Sequence, residues 1–196
     1  MRKLLFLYFS MFITSAFAQQ FSNFNPQNLE IKWEIIRNNN QGKSQSLSAF
    51  TIINHDQNSL PQSGWKLYFN FVRVIDAASV SGAVKIDFLN GDLFVLFPKK
   101  DFKALKSGDS TRIEFAAADW VINFTDAPSG FYFIADQNPS KPVVISNIKA
   151  IPSTKPEQFL MNPSDQVPVI TPDAVFNQNK LVTDIAPEKL PPVFPT

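Results

Sequence analysis

The 196-residue chain has no cysteine, a single histidine and only six glycines. Without a thiol there is no disulfide, no thiolate metal site and no cysteine nucleophile, so an apolar core must hold the fold. His55 alone cannot make a His-Glu-x-x-His zinc site, and no Gly-x-Ser-x-Gly elbow offers it a serine. The glycines, at 42, 64, 82, 91, 108 and 130, stand singly, which excludes phosphate-cradling loops and dinucleotide fingerprints and reads as turn punctuation. No dense Asp-x-Asp cluster suggests calcium. Neither a metal nor a cofactor is expected, and His55, between Asn54 and Asp56 at a strand end, reads as a solvated loop residue.

An excess of charge of either sign is missing too. Arg2 and Lys3 precede the apolar run Leu4–Ile13 and then Ser15-Ala16-Phe17-Ala18, which together form a secretory signal over residues 1–18. The run is shorter than the roughly 20 residues that cross a bilayer. Export with cleavage to the periplasm or medium is therefore expected, with no membrane attachment afterwards. The remaining 178 residues carry 16 Lys and Arg against 17 Asp and Glu, which points to neither nucleic acid nor an anionic membrane.

What the chain has in quantity is phenylalanine, twenty in all, set in alternating patterns. In LEIKWEII, Leu29, Ile31, Trp33 and Ile35 interleave with Glu30, Lys32 and Glu34, the mark of a half-buried strand. SLSAFTIIN, GWKLYFNFVR, TRIEFAA, the run Trp120–Phe124, GFYFIAD and PVVISNIKAI read likewise, and AVKIDFLNGDLFVLFP reads as two strands joined by a tight turn at Asn90-Gly91. About nine short strands and no long amphipathic helix predict an all-β fold, a two-sheet antiparallel β-sandwich over residues 19–151. From Pro152 the composition changes: nine of the fifteen prolines lie in residues 152–196, a linker or extended tail.

Candidate chemistry is sparse. Asp87, Asp92, Asp119, Asp126 and Asp136 lie near strand ends, but turn aspartates usually bond their own backbone, and no catalytic residue is assigned. Trp33, Trp65, Phe131 and Phe133 fall in phase with apolar neighbours and read as core. The aromatics that alternation leaves for a ligand are Tyr68, between Lys66 and Asn70, Tyr132, in phase with Asp136, and Trp120 beside Asp119.

Gly64–Asn70 (GWKLYFN), Asn90–Phe94 (NGDLF), Trp120–Asn123 (WVIN) and Thr125–Tyr132 (TDAPSGFY), in that order, resemble the amino-terminal domain of bacterial chitobiases and β-N-acetylhexosaminidases, family 20 glycoside hydrolases. The likeness covers about residues 27–150 and implies a sandwich similar to cellulose-binding modules. It also implies a noncatalytic carbohydrate-binding role toward chitin-like glycans containing N-acetylglucosamine. The catalytic barrel of that family carries His-x-Gly-Gly-Asp-Glu, and this chain has no Asp-Glu dipeptide onto which its residues could be carried. The alternative expectation is a structural module of a truncated or split hexosaminidase, packing on a catalytic domain encoded separately.

Overall fold

In the Leu29–Arg37 strand, β1, the odd-numbered side chains Leu29, Ile31, Trp33 and Ile35 are all buried, as period-two alternation requires of a strand with one face on a core. The computed structural model describes residues 23–121 and 126–159. Among these residues the other strands are β2 (Gln45–Asn54), β3 (Trp65–Asn70), β4 (Val84–Asn90), β5 (Leu93–Pro98), β6 (Ser110–Ala118), β7 (Ser129–Ala135), β8 (Val143–Val144) and β9 (Ile148–Ala150). They form a four-stranded sheet, ordered β6-β2-β1-β9, and a five-stranded sheet, ordered β4-β5-β3-β7-β8.

Phenylalanine glues the layers together. Phe50 of the first sheet sits with its ring centroid 5.1 Å from Phe69 and 5.7 Å from Phe131 of the second, both edge-on, and 4.9 Å from Phe115 of its own sheet. Trp65 stacks on Phe133 and donates its indole N–H to the Pro61 carbonyl at 2.7 Å, so its one polar atom is satisfied inside the core.

The sandwich departs from the expected pattern in three places. Its strands are not all antiparallel, because β9 runs parallel to β1, with Ile31 opposite Ile148. PVVISNIKAI is not one strand: β8 pairs with β7 and β9 pairs with β1, so the run crosses from one sheet to the other. Ile145 is buried at the crossing, its N–H bonded to the Phe131 carbonyl, while the Asn147 carbonyl accepts from Ile31. The β4–β5 hairpin exists, but Asn90 pairs directly with Leu93, so the turn residues are Gly91 and Asp92, with Gly91 at φ 56°.

Of the strand expected at Trp120–Phe124, Trp120 and Val121 are outside any strand, and residues 122–125 lie outside the described part, as do the signal region and residues 160–196. Asp119, at φ 61°, turns the chain out of β6. Gly130, at φ 64°, is where β7 meets β3; a Cβ there would stand 3.2 Å from the Asn70 amide.

Packing on β1 continues past Pro152. Gln158, buried, donates to the Ile35 carbonyl and accepts from the N–H groups of Thr154 and Lys155, and the Asn38 amide donates to the Gln158 carbonyl. The same Asn38 side chain both donates to and accepts from the Val121 backbone. One buried amide therefore fixes the end of β1, the chain beyond β6 and the last described turn.

Candidate functional site

The outer faces of the two sheets differ in chemistry. On the four-stranded sheet the outward residues of β1, β6 and β9 include several mutually paired charges, set around Leu47, Ala49, Thr51 and Ile53 of β2. Arg112 bonds Glu34 and Glu114, and Glu30 takes Lys149 at 2.7 Å and His55 at 2.7 Å. Only 6% of the Glu30 side chain is exposed, and the Lys149 ammonium, then the His55 ring, hold its carboxyl down to about 2. His55, half exposed and outside any strand, is a solvated loop residue that also partners Glu30.

On the five-stranded sheet alternation turns a different set outward. Trp65, Leu67 and Phe69 of β3 face in, so Lys66, Tyr68 and Asn70 face out; by the same phase Leu93, Val95 and Phe97 of β5 and Tyr132 and Ile134 of β7 face out. The register aligns Asp87, Val95, Tyr68, Tyr132 and Val144 as one row across all five strands. This outer face is largely apolar and aromatic where a sandwich normally presents polar side chains to water.

Tyr68 and Tyr132, both half-buried, meet at the centre of that row with ring centroids 4.7 Å apart and planes 1° from parallel. Rings lying flat side by side could not come so close, so one face of each covers the other. Parallel rings in contact at ~3.5–4.0 Å and 4.7 Å between centres must be offset by roughly 3 Å. Burial, and secondarily the neighbouring Tyr68 phenol, push the Tyr132 hydroxyl up from its ordinary value. Lys66 closes the flank with an ion pair to Asp136 at 2.7 Å, which raises the lysine further.

Trp120 is not brought to this row. It follows β6, an edge strand of the other sheet, and is half-buried with its indole N–H buried and unbonded. The aspartates are dispersed as well. Asp126 pairs with Arg73 at 3.4 Å, Asp136 with Lys66, Asp92 lies in the hairpin turn and Asp87 is exposed on β4. An open depression of about 790 Å³ over residues 101–111, the loop before β6 and its first residues, sets Asp101 and Asp109 among Lys103 and Lys106. Among the described residues no group of three or more His, Cys, Asp or Glu is placed to hold a metal ion.

The outward apolar residues Val95, Phe97, Ile134 and Val144 were not singled out from the sequence. LFVLFP carries apolar residues on both phases, so periodicity marks a strand there without separating inner from outer face. Only the register, which seats Val95 beside Tyr68 and Val144 beside Tyr132, assembles them.

Residues 28–174 match the CHB_HEX family, described as "Putative carbohydrate binding domain", and the chain belongs to that family. Among solved structures, a GH20 exo β-N-acetylglucosaminidase from Vibrio harveyi, in complex with N-acetylglucosamine, is similar at 18% identity, 64% of this chain and a TM-score of 0.49. This chain spans only 18% of the length of that enzyme. The chitin-binding domain of Chi18aC from Streptomyces coelicolor is similar at 14% identity, over 56% of this chain and 93% of its own, with a TM-score of 0.39. A carbohydrate-binding module, CBM3b, of cellobiohydrolase 9A from Clostridium thermocellum is similar at 17% identity, over 60% and 97%, with a TM-score of 0.40. No curated protein matches the chain.

Proposed function

We propose that the chain is an exported, noncatalytic carbohydrate-binding module that holds chitin-like, N-acetylglucosamine-containing polymers on the outer face of its five-stranded sheet. The observation that carries this reading is the half-exposed Tyr68–Tyr132 pair set in an apolar row, with the Lys66–Asp136 ion pair kept to its flank, whereas ion pairs centred on Glu30 and Arg112 run between strands of the opposite sheet. Pyranose rings expose apolar C–H faces and a rim of hydroxyls, and aromatic side chains with polar tips suit both. Membership of the family supports a carbohydrate as the ligand. Trp120, at the end of the other sheet, would be a separate contact. The test is depletion of the purified protein from solution by insoluble chitin; a folded protein that stays wholly in solution contradicts the reading.

A second reading rests on a different observation. Val72, Val74, Phe88 and Leu89 are exposed by 60%, 65%, 54% and 45%, and a hydrogen bond from Phe71 N–H to the Asp92 carbonyl joins their two segments. Such a patch fits a module that packs on a hexosaminidase catalytic domain. The DNA downstream of the Thr196 codon distinguishes the two, since this reading requires a barrel with its Asp-Glu pair there.

A further inference from the structure

The row Val95–Tyr68–Tyr132–Val144 is not symmetrical about its tyrosines. Val95 is outward-facing yet only 6% exposed, whereas Val144 is 66% exposed. The offset of the two parallel rings accounts for this if both lean the same way, Tyr68 over Val95 and Tyr132 over Tyr68. The inner ring then has both faces covered. Only the far face of Tyr132 stays open, above Val144 on the short edge strand β8.

We infer that Tyr132 and Val144 form the stacking platform for a single sugar ring at the β7–β8 edge, that Tyr68 supports the Tyr132 ring from behind, and that the sugar held there is uncharged. This rests on the carbohydrate-binding reading and narrows it to one subsite. The charge argument comes from the rim. The outward charges of this face are Lys66, Lys85, Lys99, Asp87 and Asp136; Lys66 and Asp136, which flank the tyrosines, neutralise each other at 2.7 Å, while Lys85, Asp87 and Lys99 lie on β4 and at the end of β5, away from β8. With Lys66 and Asp136 paired to each other beside the tyrosines, neither is left to attract a uronate or a deacetylated amino sugar, so attraction comes chiefly from apolar contact, with neutral hydrogen bonds to the tyrosine hydroxyls adding to it. The occupant is therefore a neutral, N-acetylated or plain hexose unit, presented by a chain long enough to lie along the sheet edge.

The experiment measures depletion of the full chain by insoluble chitin for the wild type, Y132A, Y132F, Y68F and V144E, at low and raised salt. Val144 is exposed, so V144E should leave the melting curve unchanged, and it keeps the test valid if Y132A is destabilised. The expected result is retention of the wild type with little salt dependence, a loss of at most a few-fold for Y132F and Y68F, which keep the rings and drop the hydroxyl bonds, and a loss of about tenfold or more for Y132A and V144E. If the wild type binds and V144E binds equally well, the subsite is wrong while the carbohydrate reading stands. Binding that collapses at raised salt would likewise overturn the uncharged subsite and leave the carbohydrate reading in place. If the folded wild type does not bind, the carbohydrate reading itself falls, and the subsite with it.

Discussion

The Asn38 side-chain amide donates to the Gln158 carbonyl at 2.6 Å and to the Val121 carbonyl at 2.8 Å, while its oxygen accepts the Val121 N–H at 2.9 Å. Asn38 is only 3% exposed, so water cannot replace these bonds. Asn38→Ala leaves buried backbone groups unpaired and should lower the unfolding free energy by ~3–5 kcal/mol, read from denaturant titrations. Asn38→Asp keeps the acceptor but turns a buried carboxylate oxygen toward the Val121 and Gln158 carbonyls; at neutral pH it should be at least as destabilised as the alanine variant.

Gln158 makes the companion prediction. Chains ended after residue 160 and after residue 151 differ by the segment that bonds Ile35 and Asn38. The shorter chain should melt at a lower temperature, with a loss of ~2–4 kcal/mol from the vacated carbonyls and the unpartnered amide. Equal melting temperatures would show that these bonds contribute nothing net.

Glu30 sets an acid limit. Its folded-state value near 2 lies below its ordinary value of 4.5, so its ion pairs contribute stability above about pH 4.5 that is lost as pH falls toward 2. Glu30→Gln should therefore flatten the stability profile across that window and leave it parallel to the wild type at higher pH. Lys149 and His55 are about half exposed, which limits the expected loss to roughly 1 kcal/mol. Urea midpoints at a series of pH values measure it.

Core and edge phenylalanines should separate cleanly. Phe50, 1% exposed and touching three other rings, should cost ~3–5 kcal/mol as alanine. Phe88 has the phase of inward Val84 and Ile86 yet is 54% exposed, so Phe88→Ser should change stability far less. If the chain docks through this end, Phe88→Ser weakens that docking and leaves sugar binding intact.

Much of the sandwich was legible because its strands obey strict alternation: Trp33, Trp65, Phe131 and Phe133 are buried as their phase requires. The crossing within PVVISNIKAI was hidden because a continuous apolar run carries no mark of which sheet each half joins, and the crossing is fixed by non-local bonds from Ile31 and to Phe131. Gln158 was likewise invisible, since a polar residue in a proline-rich stretch gives no sign that a distant amide buries it. Tyr68 and Tyr132 could each be placed outward by phase. Their contact depends on a cross-strand register that no single strand encodes, and so does their separation from Trp120.

The proposed function centres the glycan on the outer face of the five-stranded sheet and not on the outer face of the four-stranded one. Chemical-shift mapping of the isotope-labelled protein, titrated with a soluble N-acetylglucosamine oligomer, decides this residue by residue. The largest changes should fall on Lys66, Tyr68, Tyr132, Ile134 and Val144, with Glu30, Glu34, Arg112 and Lys149 unmoved. Changes centred on those charged residues of the opposite sheet, or no changes at all at saturating oligomer, would contradict it.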